Sequence, residues 1–252
     1  MRSRGRIAGP LTTRRDLERE LAAAADEKRA LSSAWFFKTG KGQYGEGDRF
    51  LGISVPLQRR IALRYRDLPF KDISRLLASP IHEYRFAALE ILVGQYERAA
   101  ETGKERIVRF YLDHTERINN WDLVDTSTRE ILGDYVRTRS RDLLDELAGS
   151  SLLWERRMAI VSTLRLIKEG EIGDTFRIAE KLLRDKHDLI QKAVGWALRE
   201  AGKVSRPALL KFLRKHYSEL PRTTLRYAIE HFSPEERKQI LTGKMPRVQA
   251  TG

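Results

Sequence analysis

The spacing of apolar residues predicts helices along almost the whole chain. Apolar residues recur every three or four positions with charged residues between them, which is the pattern of an amphipathic helix. Short breaks that contain Pro, Gly, Ser or Asn separate these stretches, and no alternating run of five or more residues favours a strand. The clearest stretches are residues 17–37, YRFAALEILVGQYERAAE, KERIVRFYLDHTERI, RRMAIVSTLRLIKEG and IQKAVGWALREAGK. We therefore predict an all-α protein.

One segment departs from the helical pattern. Residues 38–56, KTGKGQYGEGDRFLGISVP, contain five glycines and are predicted to form a loop. The segment superficially resembles a glycine-rich nucleotide loop, but it follows a predicted helix and not a strand, which argues against a dinucleotide site. A flexible backbone that approaches a phosphate closely is the better interpretation, with Lys38, Lys41 and Arg49 supplying positive charge.

Five segments of the chain align as internal repeats. Their anchor positions lie 36, 36, 34 and 35 residues apart, at Ala87, Leu123, Ala159, Ala193 and Ala228. A two-helix unit of this length predicts an α-solenoid of HEAT-like repeats with a curved, basic concave face. We assign residues 16–243 to one repeat domain, 1–15 to a basic tail expected to be mobile, and 244–252 to a C-terminal tail.

The position two residues before each anchor forms a column of long side chains. The column contains Arg85, Trp121, Arg157, Gln191 and Arg226. One interpretation is that such arginines tie adjacent repeats together. The other, which the net charge of +13 favours for the array as a whole, is a basic stripe along the concave face that binds a phosphate backbone.

Composition favours a nucleic-acid partner. The chain has 252 residues, with 48 Lys plus Arg against 35 Asp plus Glu, for a net charge of +13. Such an excess favours a polyanion. There is no cysteine, the histidines form no metal-binding pattern, and no metal or cofactor is predicted. No apolar run is long enough to cross a bilayer, so we expect a cytoplasmic, DNA-associated protein with no membrane partner.

The stretch NNWDLVDTS, residues 119–127, combines an indole with carboxylates. Asn119 or Asn120 can cap a helix that begins near Trp121. Trp121 and Asp125 then share one face. A structural alternative pairs Asp125 with Arg129 four residues later.

The remaining residues of the stretch and two other tryptophans are assigned to structure. Leu123 and Val124 are predicted core residues, and Asp122 is favourable charge at a helix N-terminus. Trp35, in the run AWFF, is predicted to be core. Trp154 is predicted to be either core or a hydrophobic staple.

Four segments in order resemble the AlkD family of DNA glycosylases, the HEAT-like-repeat enzymes that excise alkylpurines. They are WFFKTGKGQYGEGDRFLGI, NNWDLVD, WERRMAI and QKAVGWALRE, and the resemblance runs from Leu31 to Ile240. It implies a hydrolase that removes cationic N3- and N7-alkylated purines from duplex DNA without base flipping. Monofunctional activity is inferred because no clear Schiff-base lysine stands beside the cleft.

The resemblance also implies roles for individual residues. Trp121 and Trp196 match the two cleft tryptophans, and Asp125 matches the catalytic carboxylate. Arg157, or Arg156 if the alignment shifts by one, matches an arginine that contacts DNA. Val55 lies where some members carry a polar contact, but it cannot donate a hydrogen bond. The other predicted DNA contacts are Arg85, Lys38, Lys41, Ser54 and Lys192.

Two alternatives to a glycosylase remain open at the level of sequence. The first is a non-catalytic HEAT-like repeat protein that binds damaged or branched DNA. The second is a solenoid scaffold for a protein partner, for which a charge of +13 suits only an acidic ligand. A monomer is expected for the glycosylase and for both alternatives, because solenoids with capped ends are commonly monomeric.

Overall fold

A computed structural model describes residues 13–246, and this part of the chain is mostly helical. It contains fifteen α-helices and no strand. The one extended pairing within it is an isolated parallel bridge between Arg49 and Ile81. The predicted all-α class is therefore confirmed. None of the described helices is both long enough and apolar enough to span a membrane.

The chain divides into two compact units, Met1–Leu123 and Val124–Gly252. The helices of the first unit are α1 Arg14–Ala23, α2 Glu27–Phe36, α3 Val55–Ala62, α4 Phe70–Leu77, α5 His82–Arg98 and α6 Glu101–Leu112. Helix α7, Trp121–Thr128, contains the boundary between the units. A π-helical segment, Arg129–Gly133, continues it. The second unit then has α8 Asp134–Arg137, α9 Asp142–Ala148, α10 Leu153–Ile167, α11 Gly173–Leu182, α12 Asp188–Val204, α13 Arg206–His216, α14 Arg222–Ala228 and α15 Pro234–Leu241.

The predicted domain limits fall close to the ends of the described region. Helix α1 begins at Arg14, two residues inside the predicted tail 1–15. Residues 1–12 of that tail, and residues 247–252 of the predicted tail 244–252, lie outside the described residues. The assignment of residues 16–243 to one domain stays a prediction.

The helical stretch predicted over residues 17–37 is two helices and not one. Helix α1 ends at Ala23 and α2 begins at Glu27. Asp26 separates them because its carboxylate accepts the N–H of Arg29 at 2.9 Å, as an N-cap residue does. Its own N–H donates to Leu51 O at 2.8 Å and so leaves the helical pattern.

In the first unit the long helix α5 lies at the centre of the packing. Helices α3, α4 and α6 contact α5, and α1 contacts α3, α4 and α5. Along α5 the buried apolar side chains include Phe86, Leu89, Ile91 and Leu92. This helix therefore supplies the first unit with most of one face of its core.

In the second unit the longer helices pack in sequence order. Helix α10 packs against the π-helical segment, α9, α11 and α12, and α12 in turn packs against α13 and α14. The repeat anchors in this unit, Ala159, Ala193 and Ala228, are each no more than 2% exposed. Small buried side chains at these positions let neighbouring helices approach closely.

Arginine–carboxylate pairs link helices of the second unit across similar sequence separations. The partners lie 29 to 35 residues apart, against 34 to 36 residues for the predicted repeat. They include Arg157–Asp125, Arg165–Asp134, Arg177–Asp145, Arg199–Glu230 and Arg206–Glu236. Contacts over roughly one predicted repeat therefore recur along the folded unit.

Gly195 marks the closest approach of α12 to α14. A Cβ atom at this position would lie 2.4 Å from Tyr227 Cβ and 2.7 Å from Thr224 O. We expect Gly195→Ala to lower the free energy of unfolding by about 1–3 kcal/mol through overpacking. Urea denaturation measures the change.

Gly94 provides the matched control for this substitution. It also lies inside a helix, but a Cβ there would meet nothing within 4 Å. Gly94→Ala should raise stability by about 0.5–1 kcal/mol, because alanine loses less backbone entropy than glycine. Equal effects of the two substitutions would contradict the assigned packing.

Candidate functional site

The Asp125 carboxylate is held in the second unit by a two-pronged bond from Arg157. Arg157 Nε donates to Asp125 Oδ1 at 2.9 Å and Arg157 Nη2 donates to Asp125 Oδ2 at 2.7 Å. A bidentate pair of this kind fixes the carboxylate plane as well as its distance. Arg129, the partner considered from the sequence, donates to Glu130 instead, at 2.8 Å.

Arg157 connects this carboxylate to the start of the next long helix. Its Nη1 donates to Leu189 O in the first turn of α12 at 2.6 Å. The Arg157 side chain is only 7% exposed, whereas the Asp125 side chain is 20% exposed. The buried guanidinium of Arg157 therefore orients the carboxylate, which is still partly accessible to solvent.

Arg156, the alternative for the predicted DNA-contacting arginine, is also bonded within the second unit. Its Nε donates to Asp185 Oδ2 at 2.6 Å. Its Nη1 donates to the carbonyl oxygens of Ser150 and Ser151, at 3.0 and 2.8 Å. Both neighbouring arginines thus have structural partners, and a contact of either with DNA stays a prediction.

Helix α12 carries the second tryptophan of the predicted site. His187 caps this helix by accepting the N–H of Leu189 at its Nδ1, 3.2 Å away. Burial lowers the pKa of His187, and the charges of Arg156 and Arg157 lower it further. Trp196 lies two turns along the same helix and is half-buried. Lys192, one turn earlier, pairs with Asp188 at 2.6 Å.

In the first unit, Trp121 belongs to a cluster of aromatic rings. It is the first residue of α7, and Asn120 Oδ1 accepts its N–H at 2.8 Å, which confirms the predicted helix start. The indole stacks on Phe37, with ring centroids 5.2 Å apart, and meets the edge of Phe36 at 5.8 Å. Phe37 also stacks on Phe50 of the glycine-rich loop, 5.1 Å away.

A buried ionic cluster lies behind these rings. His82 Nε2 is 2.8 Å from Asp122 Oδ2, and His82 Nδ1 is 3.3 Å from Asp48 Oδ2. The same Asp48 oxygen accepts from Arg85 Nη2 at 2.6 Å and from Asn120 Nδ2 at 3.4 Å. These five residues come from three segments that are far apart in sequence, around residues 48, 82–85 and 120–122.

The cluster shifts the pKa of its members in opposite directions. Burial alone would lower the pKa of His82, but the charge and hydrogen bond of Asp122 and the hydrogen bond of Asp48 raise it to about 9. Burial alone would raise the pKa of Asp48, but hydrogen bonds from His82 and Arg85 and the Arg85 charge lower it. His82 is the residue of this region that the sequence did not single out, since a lone histidine in HEYR has no distinguishing pattern.

Arg85 occupies its column position as a structural residue. It is 3% exposed and also donates to Ser79 O at 2.9 Å. Gln191 occupies the column position three predicted repeats after Arg85. It makes the corresponding bond, from its side-chain amide to Asp185 O at 3.1 Å. These contacts favour the interpretation that column residues tie segments together. Arg226, by contrast, is exposed.

The glycine-rich loop is anchored at its C-terminal half. The Glu83 carboxylate accepts the N–H groups of Leu51, Gly52 and Ile53, at 2.9, 2.8 and 3.3 Å. Gly52 has φ of +79°, and a Cβ there would lie 2.2 Å from Asp26 O, so this turn requires glycine. The loop is therefore not the uniformly open backbone that its composition indicates.

The residues of this loop that are predicted to contact DNA lie at its two ends. Lys38 and Lys41, in the N-terminal part, are exposed. Lys38 adopts a left-handed conformation with φ of +56°, and its Nζ lies 5.0 Å from the centre of the Trp35 ring. Ser54 is the N-cap residue of α3 but makes no side-chain capping bond.

The prediction that Trp35 is a core residue is wrong. Its exposure is 75%, and Leu31 and Phe36 of the same helix are 70% and 54% exposed. Helix α2 has no buried residue. Of the run AWFF, Phe36 and Phe37 contact the aromatic cluster, and Phe36 is nevertheless more than half exposed. Trp154, at 5% exposure, is confirmed as core, as are Leu123 and Val124.

Comparison with known proteins identifies the relatives of this chain. Residues 17–232 match the sequence pattern of the DNA alkylation repair enzyme family. The structure of a predicted DNA alkylation repair enzyme from Enterococcus faecalis has a similar fold, with a TM-score of 0.65 and 17% identity over 83% of this chain and 97% of that one. No protein with a curated description matches. Because the family pattern covers most of its length, the chain belongs to the DNA alkylation repair enzyme family.

Proposed function

We propose that this protein is a monofunctional DNA glycosylase that hydrolyses the N-glycosidic bond of cationic N3- and N7-alkylpurines in duplex DNA. Substrates of this class are 3-methyladenine and 7-methylguanine. Membership of a DNA alkylation repair family supports a DNA substrate. The net charge of +13 supports it independently, because phosphate binding requires positive charge.

The observation that carries the proposal is the Asp125 carboxylate. Both of its oxygens accept hydrogen bonds from Arg157, and the side chain is still 20% exposed. Glycosidic bond cleavage leaves positive charge on the sugar, as in the oxocarbenium-like transition state of glycoside hydrolysis. A carboxylate set beside C1′ stabilises that charge and orients a water molecule for attack. Arg157 holds the carboxylate in one orientation, so little reorganisation is needed when the charge develops.

The leaving group needs little help from the protein. Alkylation at N3 or N7 places a positive charge on the purine, and the base then departs as a neutral molecule. The enzyme is therefore expected to act poorly on neutral lesions. Trp121, which precedes Asp125 by four residues on α7, and Trp196 on α12 offer indole faces that suit a positively polarised sugar.

We propose that the helices form HEAT-like repeats of an α-solenoid. The support is the series of arginine–carboxylate pairs 29 to 35 residues apart in the second unit. In repeat proteins each unit contacts its sequence neighbours, so pairs of this separation are expected between adjacent repeats. A surface made from helix faces holds bases less deeply than a pocket, which supports catalysis without base flipping.

Among the predicted DNA contacts, the exposed residues are the better candidates. Lys38 and Lys41 are exposed in the glycine-rich loop, and the Lys192 side chain is 40% exposed. Ser54 adds a hydroxyl without a capping bond at the start of α3. Phosphate contacts by such residues give affinity without sequence preference.

Asp125→Asn should reduce release of 7-methylguanine from methylated duplex by about 100-fold or more, because the neutral amide no longer stabilises the sugar cation. The affinity for undamaged duplex should change little. Chromatography of the freed bases and a gel-shift titration measure the two quantities.

Asp134→Asn is the matched control. Asp134 is also paired with an arginine of α10, and its side chain is 18% exposed against 20% for Asp125. It should keep wild-type release. Near wild-type release by Asp125→Asn would refute the mechanism. Wild-type protein that binds duplex but releases no base would instead indicate the non-catalytic DNA-binding alternative.

Arg157→Lys and Arg157→Ala should both slow base release, because neither side chain can bond both Asp125 oxygens. The slope of log affinity against log salt tests the predicted contact of Arg157 with DNA, since loss of a phosphate contact reduces the slope by about 0.9. An arginine that serves only to hold Asp125, which its 5% exposure favours, leaves the slope unchanged. Lys41→Ala, which removes an exposed charge, should reduce that slope by about 0.9 if it neutralises one phosphate. A similar reduction in Arg157→Ala would make Arg157 a phosphate contact instead.

A further inference from the structure

His82 connects three separate segments of the first unit through one imidazole ring. It is the first residue of α5 and is 2% exposed. Its Nδ1 faces Asp48 of the glycine-rich loop at 3.3 Å, and its Nε2 faces Asp122 of α7 at 2.8 Å. The ring faces are covered by Phe50, 4.6 Å away, and Phe37, 5.1 Å away.

The two carboxylate contacts of the His82 ring are both hydrogen bonds only when the ring is doubly protonated. An ionised carboxylate accepts hydrogen bonds and donates none, whereas a neutral imidazole has one donor and one acceptor. Both His82 nitrogens face carboxylate oxygens, so both must carry a proton for both contacts to be hydrogen bonds. The charged groups around the ring then balance, with Asp48 and Asp122 opposite His82 and Arg85.

The imidazolium is connected to Trp121 by two routes. Through the backbone, Asp122 directly follows Trp121, and its second oxygen accepts the N–H of Leu123 at 2.9 Å, which fixes the first turn of α7. Through the rings, Phe37 lies against His82 and also stacks on the indole, with an interplanar angle of 22° to Trp121. The backbone position and the ring plane of Trp121 are both constrained from the same residue.

We propose that His82 is a positioning residue for the DNA repair reaction, which as an imidazolium between Asp48 and Asp122 holds the Trp121 indole in its orientation. The role in repair rests on the function proposed above. The orientation of Trp121 itself depends only on contacts within the first unit. His82 touches no reacting atom in this scheme and acts through Asp122, Phe37 and the helix start.

The proposal has a pH dependence with a defined sign. The charge of Asp122 and the hydrogen bonds of both aspartates raise the pKa of His82 to about 9, against the opposing effects of burial and of Arg85, whose Nη2 lies 3.5 Å from Nδ1. A raised pKa means that the stabilisation is complete below the ordinary value of 6.5 and is lost as the pH rises through about 9. Above that pH one of the two carboxylates has no N–H donor on the ring.

The orientation of Trp121 can be followed directly by 19F NMR of protein labelled with 5-fluorotryptophan. The four resonances, one for each tryptophan, are assigned by Trp→Phe substitution. In wild-type protein the Trp121 resonance should shift with a midpoint near pH 9. In His82→Gln it should be displaced at neutral pH and should lose that titration, because glutamine carries no titrating proton.

Single-turnover release of 7-methylguanine at pH 7.5 provides the second readout. His82→Gln should lower the rate constant by about 10-fold or more, since a small displacement of a positioned group has effects of this size. The dissociation constant for undamaged duplex should change by less than about 3-fold. A purely structural defect would instead lower the amplitude of base release and raise the apparent dissociation constant as the folded fraction falls, which circular dichroism measures.

His114→Gln is the matched control within the same unit. His114 also bonds at both nitrogens, to Ser74 Oγ at 2.9 Å and Phe110 O at 2.7 Å, and its ring lies 4.2 Å from that of Phe110. None of these partners is an acidic side chain or a member of the aromatic cluster around Trp121. This variant should keep the Trp121 resonance, its titration and the rate constant.

Each outcome decides a separate question. An unmoved Trp121 resonance in His82→Gln overturns the positioning role, and so does a rate constant within about 2-fold of wild type. If wild-type protein releases no base, the glycosylase proposal fails while the NMR result still decides whether His82 orients Trp121. Should His82→Gln not fold, Asp122→Asn removes one of the two carboxylates and must displace the same resonance.

Discussion

The buried arginine–carboxylate pair is the interaction on which the second unit depends. Arg157 reaches from α10 to Asp125 on α7 and to the Leu189 carbonyl at the start of α12, so one guanidinium joins three helices. A charge removed from water is costly unless it is paired and hydrogen-bonded. All the bonds of Arg157 described above therefore act together, and loss of one partner leaves the other charge unbalanced.

This pairing explains how a helix surface can present a carboxylate in a defined orientation. A solvent-exposed aspartate samples several rotamers, and an exposed ion pair contributes little. At Asp125 the guanidinium is almost buried while the carboxylate stays partly accessible. Desolvation of Arg157 costs free energy. In return, the plane of the Asp125 carboxylate is fixed and does not have to reorganise.

In the first unit, the buried cation that positions a carboxylate is an imidazolium. His82 lies between two aspartates and two phenylalanine rings, and Arg85 shares one of those aspartates. In both units a buried cation holds a carboxylate of helix α7, Asp122 in one and Asp125 in the other. The consequence is that the conformation of the NNWDLVD stretch is determined by side chains more than 30 residues away.

The sequence by itself determined the helical class, the start of α7 at Trp121 and the family, because these depend on local spacing and on motifs. It indicated Asp125 through its neighbours. Only the tertiary structure decided that Arg157 is the partner of Asp125, that Arg85 is buried, that Trp35 is exposed and that His82 lies between Asp48 and Asp122. Spacing within a helix reports which residues share a face, but it does not report which distant residue meets that face. For charged and aromatic side chains, that distant partner sets the burial, the hydrogen bonds and therefore the role.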